Sequence, residues 1–369
     1  MDSGPVSRAL VTLGIALLLA STPVAPSVAA ADAAQSDATR AQADAAPTPI
    51  DACTTIDEPG RYALSTDLRN VSAGQCLRIR ASDVALLGRG HLVDGRGDFG
   101  TAGVSVGTWA RSLSNVTVRN LTVADWDDAV RLTAADGGAL ADVTATRSRV
   151  GVRLYAASGN RLLDVRATDN AVHGVSLLDD SDGNRGRNVT ATGNALFGVH
   201  FGADSSENTV RNVTARGNEY GVVAVGADGN RVVGGSAVAN RIAGVWLSAA
   251  DGNRIADLRL RNRFYGAFLA DGASNNSLVG NRAEETPVGF RLRNSDENLL
   301  RNNTARSNRD GILLIESDRN ALLGNRIVDN RRGVSLLASD DNRVEGNLLR
   351  GNRQAFVVAR GSENNSVPG

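Results

Sequence analysis

The sequence predicts an all-β solenoid of stacked coils, and two columns of residues predict it. A glycine returns every 22 to 24 residues, at Gly151, Gly174, Gly198, Gly221, Gly244, Gly266, Gly289, Gly311 and Gly333. Nine or ten residues after each glycine stands an asparagine: Asn160, Asn184, Asn208, Asn230, Asn253, Asn276, Asn298, Asn320 and Asn342, continued by Asn365. A fixed period in this range marks a repeat in which each unit buries its apolar face only against its neighbours.

The pattern inside each coil decides strand over helix. Apolar residues alternate, as in Val152/Leu154, Val175/Leu177, Val245/Leu247 and Ile312/Leu314, and the runs are broken every five or six residues by Gly, Asn, Asp or Ser. Period two interrupted by turns is a strand signal, whereas helical repeats carry apolar residues three and four apart. A coil of ~23 residues accommodates about three short strands and three turns, with successive coils paired in parallel.

The asparagines predict an internal ladder. A turn residue repeated once per coil sits over its equivalent, and its amide can donate to one neighbour and accept from the other. A looser second column runs through Asn170, Asn194, Asn218, Asn240, Asn262, Asn308, Asn330 and Asn352, lapsing at Arg147 and Glu285. Two residues before the main ladder stand small or acidic residues such as Ser158, Asp182, Asp228, Asp251 and Asp296, suited to side-chain-to-backbone turns.

The Gly-Val-x-Leu … Asn-x-Val … Asn-x-x-Gly coil resembles the right-handed parallel β-helix repeat. It is similar to the NosD-like β-helix proteins, described as periplasmic copper-binding or surface proteins, and more distantly to polysaccharide-active β-helix enzymes. The resemblance covers roughly residues 60–369 and implies a parallel β-helix of about ten to twelve coils with an N-terminal cap. It is specific for fold and weakly specific for function.

Along the chain, residues 1–30 read as a secretion signal: Arg8, an apolar run from Leu10 to Ala20, and Val28-Ala29-Ala30 as a small-residue cleavage site. Residues 31–49 read as a flexible linker, 50–100 as the cap with the first irregular coils, and 101–369 as the repeats. Cys53 and Cys76 are one coil apart and are the only cysteines. In an exported chain such a pair is expected to form a disulfide, limiting the unfolded chain by about 3 kcal/mol on the chain-entropy model. The expected location is extracellular, at the cell surface or in a periplasm-like space.

Charge excludes some partners. Forty basic residues balance forty acidic ones, so no net field recruits nucleic acid. Every basic residue is arginine, which removes lysine as a Schiff-base or general-base residue. No stretch after the signal is apolar and long enough for a membrane helix. Eight Asn-x-Ser/Thr sequons occur, at Asn70, Asn115, Asn120, Asn188, Asn212, Asn275, Asn302 and Asn364.

Candidate chemistry is sparse. A copper site needs thioether, thiolate or imidazole donors; Met1 is the only methionine, and the histidines are His91, His173 and His200. No metal site is expected from that inventory. Asp127 and Asp128, with His173 in Val172-His173-Gly174, are the catalytic candidates, since paired acids can serve as acid and base at a glycosidic bond. Asp179, Asp180 and Asp182 supply oxygen ligands of the kind calcium takes, but they fall in a turn where acids recur in other coils. No other cofactor is expected.

The fuller signal is an outward column. The residue two after each glycine faces away from the core and reads Arg153, Ser176, His200, Val223, Trp246, Phe268, Arg291, Leu313, Ser335. Beside it, just before the glycines, come His173, Phe197, Tyr220 and Tyr265. Rings flanked by planar cations suit sugar rings and carboxylates. Arg153, His200, Tyr220, Trp246, Tyr265, Phe268 and Arg291 are the candidate substrate-binding residues. The sequence therefore predicts a secreted or cell-surface module that contacts a polysaccharide or surface glycan, or serves as a scaffold for a protein partner, without catalysis. The alternatives are a polysaccharide lyase, hydrolase or epimerase, and a NosD-like accessory protein for metalloenzyme maturation.

Overall fold

The computed structural model describes residues 46–367. The expected signal and most of the expected linker lie outside these residues. Pairing begins at the strand Thr48–Ile50, inside the last residues assigned to the linker. The described residues hold strands and no helix, arranged as a 14-stranded sheet, a 21-stranded sheet and a two-stranded pair.

The 14-stranded sheet takes one strand from every coil, and its strands number the coils. Coils 1 to 7 are Thr54–Ile56, Gln75–Ile79, Ala102–Val106, Asp128–Thr133, Val150–Tyr155, His173–Leu178 and Phe197–Phe201. Coils 8 to 14 are Tyr220–Val225, Ala243–Ser248, Tyr265–Ala270, Val288–Arg293, Asp310–Ile315, Arg332–Leu337 and Gln354–Ala359. Neighbours pair in parallel with one unbroken register. Fourteen turns exceed the expected ten to twelve; coils 1 and 2 lie in residues 50–100, the segment read as the cap with the first irregular coils. They pair as coils while lacking the glycine and asparagine of the repeat, as does coil 4, where Ala129 and Gly138 stand at those positions.

The core is a column of aliphatic residues, with Leu77, Leu154, Leu247, Leu269 and Leu314 at most 1% exposed. Trp126 is the largest fully buried side chain, and its indole Nε1 donates to the Val93 carbonyl at 3.1 Å. The glycine column has a steric cause. A Cβ on Gly174 would lie 2.6 Å from the Gly198 carbonyl oxygen and 2.8 Å from Asn194 Nδ2. The second asparagine column thus occupies the space that the glycines vacate.

Both ladders form. In the main ladder the Asn208 backbone N–H donates to Asn230 Oδ1 at 2.9 Å, and Asn230 Nδ2 donates to the Ser205 carbonyl at 2.9 Å. The lapses in the second column are filled one residue along by hydroxyls. Ser148 donates its backbone N–H to Asn170 Oδ1, and Thr286 Oγ1 accepts from Asn262 while its own N–H donates to Asn308 Oδ1. The acids before the main ladder link coils rather than closing turns: Asp228 Oδ1 accepts from the Asp251 N–H, and Asp251 Oδ1 from Ser274. A third ladder, Asn281, Asn303, Asn325 and Asn347, appears only in the later coils. Cys53 and Cys76 are disulfide-bonded, as expected, tying coil 1 to coil 2.

Candidate functional site

The outward column of the 14-stranded sheet falls in the predicted register. Arg131 lies beside Arg153, Arg153 beside Ser176, and the line continues through His200, Val223, Trp246, Phe268 and Arg291. The pre-glycine column runs beside it: His173, Phe197, Tyr220, Ala243, Tyr265.

These rings are half-buried rather than open, because they pack on one another. His173 stacks on Phe197 at 4.8 Å between centroids, and Tyr220 on Trp246 at 4.9 Å. Phe197 touches His200 at 4.9 Å and Trp246 edge-on at 6.4 Å. The face thus carries a shallow second core of its own: Val223, between His200 and Trp246 in register, is 0% exposed. Burial holds both imidazoles neutral. It lowers His200 to about 4, and burial followed by the neighbouring His200 lowers His173 to about 3.

A second ring group sits in coil 10, where Tyr265 and Phe268 lie 5.0 Å apart. Arg291 closes it. Its guanidinium stands 5.3 Å from the Tyr265 centroid and 5.1 Å from that of Phe268, and it donates to the Tyr265 hydroxyl at 2.6 Å. Its Nε has no hydrogen-bond partner among the described residues.

The acid candidates occupy a different environment. Asp128 is 0% exposed and ion-paired to Arg153 at 3.2 Å and to Arg131 at 3.5 Å. Burial, only partly offset by Arg153 and Arg131, pushes its carboxyl up to about 6. Asp127 pairs separately with Arg149. Both acids are thus engaged by arginines, Asp128 by two and Asp127 by one. The same lock recurs in coil 12, where buried Asp310 pairs with Arg332 and with Arg309 at 3.1 Å. An acid at this register position is clamped by arginine both times it occurs. Arg153, placed on the surface by the sequence pattern, is 8% exposed because it serves that lock. Ser335, in the same outward column, is fully buried.

The sequence pattern missed two walls at the start of this face. Phe99, 86% exposed, lies against the Arg149 guanidinium at 5.5 Å. Trp109, 66% exposed, meets Tyr155 at 5.9 Å between centroids. Both come from loops outside the repeat, so no column announces them. Of the calcium candidates, Asp182 accepts from the Ser206 N–H within the outer ladder, and Asp179 and Asp180 take left-handed turn conformations. Among the described residues no group of three His, Cys, Asp or Glu is placed to hold a metal ion. Among the described residues no helix is long and apolar enough to cross a membrane.

The family model described as periplasmic copper-binding protein (NosD) matches residues 96–242 and 226–369. No curated protein matches the sequence. Among solved structures, the Dettilon tailspike protein (gp208) is 14% identical with a TM-score of 0.55, covering 84% of this chain and 60% of the tailspike chain. The periplasmic alginate epimerase AlgG is 16% identical with a TM-score of 0.50, covering 85% of this chain and 76% of that one. The Azotobacter vinelandii mannuronan C-5 epimerase AlgE4 A-module is 15% identical with a TM-score of 0.48, covering 92% and 94%. At such identity the likeness to the tailspike and to AlgG is one of fold. The donor set does not fit the copper of the family description. Copper(I) takes thiolate, thioether and imidazole donors, whereas both cysteines are oxidised, His91 pairs with Asp67, and His200 Nδ1 is engaged by Ser176 at 3.1 Å, which leaves His173, 5.2 Å from His200 between centroids, as the imidazole with an unpartnered Nδ1 and no thiolate or thioether beside it among the described residues.

Proposed function

Since the chain belongs to the NosD family of β-helix proteins, we propose that it works through its surface, as a non-catalytic module contacting carbohydrate along coils 6 to 11 of the 14-stranded sheet. The observation that carries this is the line of rings from His173 to Phe268, ended by Arg291, whose Nε is left without a partner. Successive coils rise by ~4.8 Å, so a sugar ring spans about one coil step and a short oligosaccharide covers the line. The rings offer stacking faces, and the guanidinium offers donors.

The ion pairs of Asp127 and Asp128 support a binding role over a two-carboxylate hydrolase. A retaining or inverting pair must flank one bond from opposite sides, and these acids each face an arginine. The Cys53–Cys76 bond and the family's periplasmic description support a place outside the cytoplasm. The family match also favours a second reading, an accessory role exerted through contact with a metalloenzyme. A glycan-array screen run beside a reducing-end release assay tests the first reading. Binding without release is the expected result; release would reveal an enzyme, and an empty array would leave the accessory reading.

A further inference from the structure

Coils 2 to 5 carry a hollow that neither the ring line nor the family accounts for. It encloses about 230 Å³ and is lined by Gln75, Ser105, Trp109, Arg131, Thr133 and Tyr155. Its floor is the outward column before the rings begin, Ser105 beside Arg131 in register. Trp109 stands over it from the loop that follows coil 3, and Tyr155 backs that ring.

We propose that this hollow is a carboxylate-reading subsite, which makes the preferred ligand an acidic polysaccharide with a uronate-type residue seated between Trp109 and Arg131. The proposal rests on the carbohydrate reading above and adds the ligand's charge and its position on the face.

Three features point to a singly charged sugar. First, the cluster holds three cations, Arg131, Arg149 and Arg153, against two anions, Asp127 and Asp128, so 3 − 2 leaves one positive charge. Second, the arginines are not equally occupied. Arg153 and Arg149 hold the close contacts to the two acids, while Arg131 reaches Asp128 only at 3.5 Å and alone of the three lines the hollow. A guanidinium with a free edge matches a planar carboxylate through paired N–H donors. Third, the polar groups around it, the Tyr155 and Thr133 hydroxyls and Ser105, suit ring hydroxyls, while the exposed indole suits a pyranose face. Arg153 helps indirectly: it contacts the Tyr155 hydroxyl at 3.4 Å and stands 5.6 Å from its ring, fixing the tyrosine that backs Trp109.

The test is titration calorimetry of the intact protein with a hexuronic-acid tetrasaccharide and with its methyl ester, which keeps the rings and removes the charge. The acid is expected to bind about tenfold more tightly than the ester, ~1.4 kcal/mol. Arg131→Gln should abolish that difference while leaving ester binding unchanged. Because Arg131 also touches a buried acid, Trp109→Ala serves as the second variant. Its side chain is mostly in solvent, so the unfolding midpoint should hold while acid binding falls. Equal affinity for acid and ester in the wild type would overturn the subsite and leave the ring line standing. Binding of neither would overturn both readings. An acid preference that survives Arg131→Gln would place the carboxylate elsewhere, and acid binding unchanged in Trp109→Ala would overturn the seat against the indole.

Discussion

The two long edges of this molecule obey different rules. Along the ladder edge nearly every coil presents the same asparagine, buried, with its amide committed to the coils on either side. Along the outer face of the 14-stranded sheet the residue changes at almost every step, from Arg131 to His200 to Trp246 to Arg291. The backbone demand is identical on both edges. On the ladder it consumes the side chain as well, since a buried turn must satisfy its own polar groups. On the face the backbone is satisfied by neighbouring strands, and the side chain is released. The chemistry that distinguishes this protein is therefore sought where repetition stops.

The largest effect separating the two edges is expected from the ladder. Asn230→Ala removes an acceptor for the Asn208 N–H and Nδ2 and a donor to the Ser205 carbonyl. Buried unsatisfied groups cost ~1–3 kcal/mol each, so a loss of about 3 kcal/mol is expected in urea unfolding. An unchanged midpoint would mean that the ladder does not hold the coils.

A smaller effect is expected from pH. The unfolded imidazole takes a proton near 6.5, while His200 in the fold does so only at about 4. A depressed folded pKa contributes stability above 6.5 that is lost as pH falls through 4. Discounted for partial exposure, the loss is about 2 kcal/mol. Asp128 works in the opposite sense. Its raised pKa favours the fold below the ordinary carboxylate range, and that contribution is lost as pH rises through about 6. His200→Gln should therefore flatten the acid limb of the stability profile, measured by thermal melts from pH 7 to 4. A limb as steep as the wild type's would place the proton uptake elsewhere.

The smallest effect is expected off the face, at the exposed last coil, where Val358 continues the core position of Leu336. Val358, half-exposed in coil 14, should change stability by less than ~0.5 kcal/mol as Val358→Ala and leave glycan binding unaltered. Ser335 cannot serve as such a control, because it is buried with an unpartnered Oγ. A loss of binding at Val358 would extend the contact surface beyond the rings.

Legibility in the sequence follows the same division. Gly174 and Asn194 are readable because each coil repeats the close approach that fixes them. The Cys53–Cys76 bond is readable from its one-coil spacing. The third ladder was hidden because its position is aliphatic in earlier coils, as at Val213 and Leu258, and turns to asparagine only at Asn281. The sequons had a local cause that only backbone angles show: all eight asparagines adopt positive φ, a left-handed turn conformation that asparagine tolerates. On the face the register was readable but the burial was not. Val223 is covered by rings two coils wide, and Arg153 is drawn inward by Asp128. Phe99 and Trp109 arise from loops with no counterpart in other coils, so periodicity was silent about them.

The central claim is that the ring line binds while the ladder holds. It is tested most directly by measuring glycan affinity and unfolding midpoint together for Trp246→Ala and Asn253→Ala. Trp246→Ala should weaken binding about tenfold, ~1.4 kcal/mol, with the fold intact. Asn253→Ala should lower the midpoint and leave the affinity of the folded protein unchanged. Loss of folding in Trp246→Ala, or equal losses of affinity in both variants, would contradict the account and make the rings an outer core with no binding role.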